Sequence, residues 1–272
     1  MMDFTTIKNN FSAEINRPDH KINLAKAALY FAQTEYPDLN VEIYLKFLYQ
    51  MADEVKEETD DSSYPLKIIQ TINYFLFEKL AFCGDMEDYY NPENSYLNKV
   101  LERGMGNPIS LSVIYLEIAR RINFPMVGIS MPGHFLIRPD FKDVGIFVDV
   151  FERGEIIFEQ DCEKKLQDIY EEPMPLEPHF LAAASNRQIL TRMLTNLKLI
   201  YADSKQHSKG LKVIELILLL LPNHPLEIRD RGMLYYQLDD QQKAIADLKL
   251  YLALLPDASD AGLIRQLLRK IQ

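Results

Sequence analysis

Apolar positions change their spacing along this chain, and each change predicts a different kind of element. Val41, Tyr44, Leu45, Leu48, Met51, Ala52 and Val55 recur at helical intervals and form one stripe. Leu24, Ala28, Phe31 and Ala32 suggest an earlier helix, stopped near Pro37. Pro65 suits the first turn of another helix, which carries Ile68, Ile69, Ile72, Phe75, Leu76 and Leu80. Between the last two, the acidic stretch 57–61 with Ser62 and Ser63 reads as a loop.

From Asn107 the pattern is different. Asn107 is a natural N-cap and Pro108 a natural first helical residue. The helix they open runs to about Ile122, ends before Pro125, and is apolar nearly all round, which predicts a buried central helix. Short β-like runs follow at 126–131, 134–138, 145–151 and 155–158. Pro132-Gly133 and Glu152-Arg153-Gly154 supply turns short enough to require antiparallel pairing. Helices followed by a meander predict an α+β fold, not a wound parallel sheet. The proline-rich stretch 171–178 then reads as a linker, dividing the chain into parts 1–175 and 176–272.

Everything after Phe180 reads as helix, and it repeats. Pro222 and Pro256 lie 34 residues apart, the period of tetratricopeptide repeats. The unit 225–256 places Gly232, Tyr235 and Ala244 where two helices pack. The unit 191–222 has Leu194, Leu197, Tyr201 and Gly210 in matching places, but Lys198 where the later unit has Gly232. Residues 258–271 would form a capping helix. On the first helix of the later unit, Arg229, Arg231 and Tyr236 fall outside the packing positions. Arg and Tyr often dominate interfaces, so they are candidate binding residues for a protein or peptide partner, with an acidic or carboxylate-bearing one the natural guess. The alternative is that the arginines bridge to Asp230, Asp239 or Asp240 within the repeat, or to the first part.

Composition narrows the function classes. With 47% hydrophobic residues the chain can build a true core, and its net charge of −10 opposes a general grip on nucleic acid. The longest apolar runs, such as Leu216–Leu221, are far too short to span a membrane. The N-terminus lacks an apolar signal core and two cysteines make no disulfide framework, so a cytoplasmic location is expected. The five histidines are scattered, with no HExxH, no CxxC pair and no nucleotide-binding glycine loop, so neither a metal nor a cofactor is expected.

Candidate chemistry rests on the start of the buried helix (106–112), His134 and Asp149. A nucleophile at a helix N-terminus gains from the dipole, and a base on one strand with an orienting carboxylate on the next completes a triad. Here GMGNPISLSVIYLEIARRINFP, PGHFLIRP and FVDVFERG resemble the transglutaminase-like domain of the bacterial SirB family, which joins that domain to tetratricopeptide repeats. In transglutaminase-like proteins a cysteine opens the buried helix, a histidine begins a later strand and an aspartate lies on the adjacent one. The resemblance carries the last two roles to His134 and Asp149. No cysteine stands within 106–110, and Cys83 and Cys162 fall well outside it. Two functions stay open: an adaptor binding partners through its repeats, on a transglutaminase-like domain without the thiol, or a hydrolase or acyl-transfer enzyme using Ser110, His134 and Asp149.

Overall fold

The computed structural model of the protein describes residues 2–59, 64–141, 145–170 and 175–271. Four N-terminal helices come first: α1 (Phe4–Ile15), α2 (Leu24–Ala32), α3 (Val41–Glu57) and α4 (Pro65–Asn73). The stripe on α3 is buried as its spacing requires, except that Tyr44 is only partly covered and turns its hydroxyl to Glu102. The loop expected at 57–63 falls partly outside the described residues. Pro65 takes the first turn of α4, but the helix passes into a π-helical turn over Tyr74–Lys79. That turn leaves Leu80 outside and Phe75, Leu76 and Phe77 buried.

A short helix, α5 (Leu97–Arg103), ends in Gly104, whose φ of 68° gives a left-handed cap. On either side of it, β1 (Cys83–Gly84) pairs in parallel with β2 (Met105–Gly106). The chain then enters α6 (Pro108–Arg121), buried on nearly every side as the sequence predicts. A four-stranded antiparallel meander packs on it: β3 (Met126–Ile129), β4 (Leu136–Pro139), β5 (Phe147–Asp149) and β6 (Glu155–Ile157). The expected α+β architecture is therefore present. A helix that the pattern did not single out, α7 (Glu159–Tyr170), closes this part and buries Cys162 and Leu166 against the sheet.

The helical tail is α8 (Asn186–Asp203), α9 (His207–Leu220), α10 (Pro225–Gln237), α11 (Gln241–Leu254) and α12 (Ala261–Ile271). The repeat spacing has its packing cause. A Cβ at Gly232 would stand 3.0 Å from Asp247 and Leu248 of α11, tighter than an ordinary contact, so glycine suits that close approach. Lys198, at the equivalent place in α8, instead bridges to Glu227 and Asp230 of α10 at 2.7 and 3.1 Å.

Of the expected linker, residues 171–174 lie outside the described residues. The packing does not break at 175/176. Ile189, Leu190, Met193, Leu194 and Leu197 of α8, and Val213, Leu216 and Ile217 of α9, belong to one hydrophobic cluster with α2, α3 and α6. Tyr96 and Tyr201 share a buried hydroxyl–hydroxyl bond of 2.6 Å. Asp19 accepts from the first backbone N–H groups of α8, at Asn186 and Arg187. A separate cluster begins only with Ile228, Leu248, Tyr251, Ile264 and Leu268 of α10–α12.

Candidate functional site

The start of α6 is built around its cap. Asn107 Oδ1 accepts from the N–H groups of Ile109 and Ser110, while its amide donates to Ser95 Oγ at 2.9 Å. Ser110 answers from the third helical position. Its Oγ accepts the Asn107 N–H at 3.1 Å and donates to the Asn94 carbonyl at 2.6 Å, with the Asn107 carbonyl at 3.1 Å a lesser alternative. Ser110 has no exposed surface. Ser112 is equally buried and donates to the Pro108 carbonyl at 2.7 Å. Below this cap Arg103 ties Asn94 to Asp85. The whole corner is a closed polar network under a buried helix.

His134 is placed by the turn before β4, two residues before the strand begins. Pro132 and Gly133 occupy its central positions, Gly133 has φ 68°, and the His134 N–H donates to the Met131 carbonyl at 3.1 Å. That is a type II turn, which needs glycine at its third residue. Asp149, at the end of β5, brings Oδ2 to 2.7 Å from His134 Nε2. The His–Asp pairing expected from adjacent strands is thus present. Nε2 is committed to it, so Nδ1 is the ring nitrogen left for other partners.

Asp149 is wholly inaccessible to solvent and every face of its carboxylate is engaged. Oδ1 accepts from the N–H groups of Phe151 and Glu152 at 3.2 and 3.3 Å. Oδ2 also meets Lys165 Nζ at 2.8 Å. Burial alone would raise the Asp149 carboxyl, but the bonds from His134 and Lys165 outweigh it and hold it below its ordinary value. Burial would likewise lower the Lys165 ammonium, yet its pairing with Asp149 raises it. Sequence reasoning missed Lys165. Nothing local marks it; only the return of α7 over the meander brings it to Asp149.

The structure joins His134 to Asp149 and does not join Ser110 to either. Among the described residues, Ser110 hydrogen-bonds only to the chain around its own cap. Neither cysteine belongs to α6. Cys162 is fully buried, and burial foremost, with Asp161 and Glu159 nearby, pushes its thiol up to about 11. Such a thiol is unreactive at neutral pH. Cys83 is half-buried in β1.

The candidate binding residues of the repeat are held within it. Arg231 makes a bidentate pair with Asp247 of α11 at 2.7 and 2.8 Å. Arg229 spans Asp230 and Asp260, at 2.7 and 2.9 Å. Tyr236 is half-buried. Among the described residues no group of three or more His, Cys, Asp or Glu side chains is arranged to hold a metal ion. No described helix is long and apolar enough to cross a membrane.

Comparison with known proteins agrees with this architecture. Residues 42–195 match the profile of the transglutaminase-like superfamily, and residues 197–269 that of the tetratricopeptide repeat. A "UPF0162 protein" of Xylella fastidiosa is 37% identical over 251 residues, covering 91% of this chain and 89% of its own. Protein SirB1 of Salmonella typhimurium is 29% identical, over 62% of this chain and 63% of its own. F-box only protein 21 of Mus musculus is also similar, 29% identical over 58% of this chain but only 30% of its own. No solved structure matches.

Proposed function

The chain belongs to the transglutaminase-like superfamily, in its SirB-like branch with a tetratricopeptide-repeat tail, and from that premise we propose that it is a partner-binding adaptor rather than an acyl-transfer enzyme. Tetratricopeptide repeats are general protein-interaction modules, and a stacked helical array offers an extended concave surface for a peptide or partner helix.

The observation that carries the reading is the bonding of Ser110. Covalent catalysis at the start of α6 needs a nucleophile whose proton can pass to a base. No cysteine stands there. The one hydroxyl in its first turn donates its hydrogen bond to the Asn94 carbonyl and is sealed from solvent. The His134–Asp149 bond favours a second reading, a hydrolase or acyl-transfer enzyme built on Ser110, His134 and Asp149. That site would require Ser110 Oγ to leave the bond it accepts from Asn107 and the one it donates to Asn94, and to reach the His134 ring. We take the pair instead as a structural clasp between the turn before β4 and the end of β5.

The test is amine incorporation into a glutamine donor, together with hydrolysis of activated esters, by the whole chain and by Ser110→Ala and His134→Ala. The adaptor reading expects rates at the uncatalysed level for all three. Turnover by the whole chain that either substitution removes would establish the enzyme.

A further inference from the structure

A cleft of about 710 Å³ opens beside the start of α6, between the loop 88–92 and one face of α8. Its loop wall is aromatic: Tyr89 and Tyr90 meet edge to face with ring centres 5.2 Å apart, and Tyr90 is 75% exposed. Its helix wall is Asn196, Leu199, Ile200 and Asp203, which follow one another on a single helix face. Leu199 is 60% exposed and also lines a second cleft, of about 320 Å³, between α8, α9 and α10. Leu199 is thus shared by the two clefts, one at the start of the buried helix and one among the repeat helices, and together they make a two-part trough along α8.

The charge of the larger cleft is one-sided. The larger cleft is lined by two carboxylates, Asp88 and Asp203, and by no Lys, Arg or His. Asp88 accepts from the Asn91 amide, and neither carboxylate forms an ion pair among the described residues. The smaller cleft is lined by Lys198, which is neutralised by Glu227 and Asp230, and by His207 at the start of α9. The arginines that would attract an acidic partner, Arg229 and Arg231, are paired with aspartates.

We propose that this trough binds an extended peptide segment bearing an aliphatic side chain flanked by Lys or Arg. This rests on the adaptor reading and gives it a surface and a partner chemistry. The aliphatic side chain packs on Leu199 and Ile200, where exposed apolar area is regained from water. The cation approaches Asp203 and the faces of the Tyr89–Tyr90 pair, combining ion pairing with cation–π attraction. The Asn196 amide, with a donor and an acceptor, suits the backbone of an extended chain.

The experiment is fluorescence polarisation of the full chain with three short labelled peptides that share a leucine-containing core and differ in flanking residues: Lys, Glu or Ser. Asp203→Lys, the milder Asp203→Asn and Leu199→Ser alter exposed positions of the trough. Glu163→Lys makes the same charge change on exposed α7, away from it. The Lys-flanked peptide is expected to bind best, and Asp203→Lys to weaken it by about tenfold or more. Leu199→Ser should weaken all three peptides, and Glu163→Lys should change nothing. Equal or tighter binding of the Glu-flanked peptide, affinity for the Lys-flanked one that survives both Asp203 variants and Leu199→Ser, or no binding of any peptide, would overturn the proposal. Failure of the adaptor reading is recorded separately, by Ser110- or His134-dependent turnover, which these affinities do not report.

Discussion

Lys165 and His134 reach the same oxygen of Asp149, at 2.8 and 2.7 Å, from two elements that the sequence keeps far apart. A triad aspartate orients its histidine and balances the charge that forms on it. Here a permanent cation from α7 already balances the buried carboxylate. The site is thus charge-complete without any reaction, as a clasp joining the turn before β4, the end of β5 and α7 would be.

Removing Lys165 should test that clasp. Lys165→Met leaves a fully buried carboxylate with one fewer partner and is expected to cost about 2 kcal/mol. That is less than the ~3–5 kcal/mol of a wholly buried pair, because the Lys165 side chain remains 25% exposed and solvent screens it. Urea unfolding of the two chains gives the difference. No change in midpoint would mean that the ion pair is incidental.

The same carboxylate sets an acid dependence. Its folded-state value lies below the ordinary 3.8, so it contributes stability above that pH. This contribution is lost as pH falls below about 4 and the folded carboxylate takes up its proton. The stability gap between the chain and Asp149→Asn should therefore be widest near neutrality and narrow on acidification through that window. Thermal melts at stepped pH read it. A gap that widens towards acid would contradict the assignment.

Truncation should separate the tail where the hydrophobic clusters divide, not where the linker lies. A chain ending at Pro222 keeps the α8 and α9 residues that share the main cluster. It is expected to melt cooperatively. A chain ending at residue 175 exposes that face and loses the Tyr96–Tyr201 bond, so it should be aggregation-prone or unfolded. Circular dichroism melts of the two fragments decide it, and a stable, cooperative 1–175 fragment would refute the shared core.

Cys162 should resist alkylation at mildly alkaline pH in the folded chain and react only on unfolding. Its thiol is fully buried and raised to about 11 by that burial. Iodoacetamide labelling followed by peptide mass spectrometry measures this. Rapid modification of Cys162 in the native chain would show that α7 opens readily.

Local features were legible in the sequence. Asn107-Pro108 announced a helix start because caps act within one turn. Pro132-Gly133 announced a turn because its backbone demands are local, and the stripe on α3 followed from one helix period. The 34-residue spacing of Pro222 and Pro256 gave the repeat, and Gly232 and Ala244 fitted it because close helix approach favours small residues. What stayed hidden depends on distant returns of the chain. Lys165 meets Asp149, and Arg231 meets Asp247, only after the intervening elements have folded. Tyr201 looked like a repeat-packing residue, yet its hydroxyl also joins the first part of the chain. The His134–Asp149 pair was readable from strand order, but the commitment of Ser110 to Asn94 was not, since Asn94 belongs to a separate loop.

The capping role of Ser110 has a direct thermodynamic expectation. Ser110→Ala removes the reciprocal cap and leaves the buried Asn94 carbonyl short of a donor, at a combined cost of about 2–3 kcal/mol. Calorimetric melting of the variant checks it. A neutral substitution would mean that the hydroxyl is not structural.

The most direct measurement of the central claim is intact-mass spectrometry after exposure of the folded chain to a phosphonylating probe that labels activated serines. If the Ser110 hydroxyl completes the capping box of α6, it stays hydrogen-bonded to the Asn94 carbonyl and no adduct forms there at any probe concentration that leaves the chain folded. An adduct on Ser110 that disappears in His134→Ala would contradict the account, because it would show a serine activated by the His134–Asp149 pair.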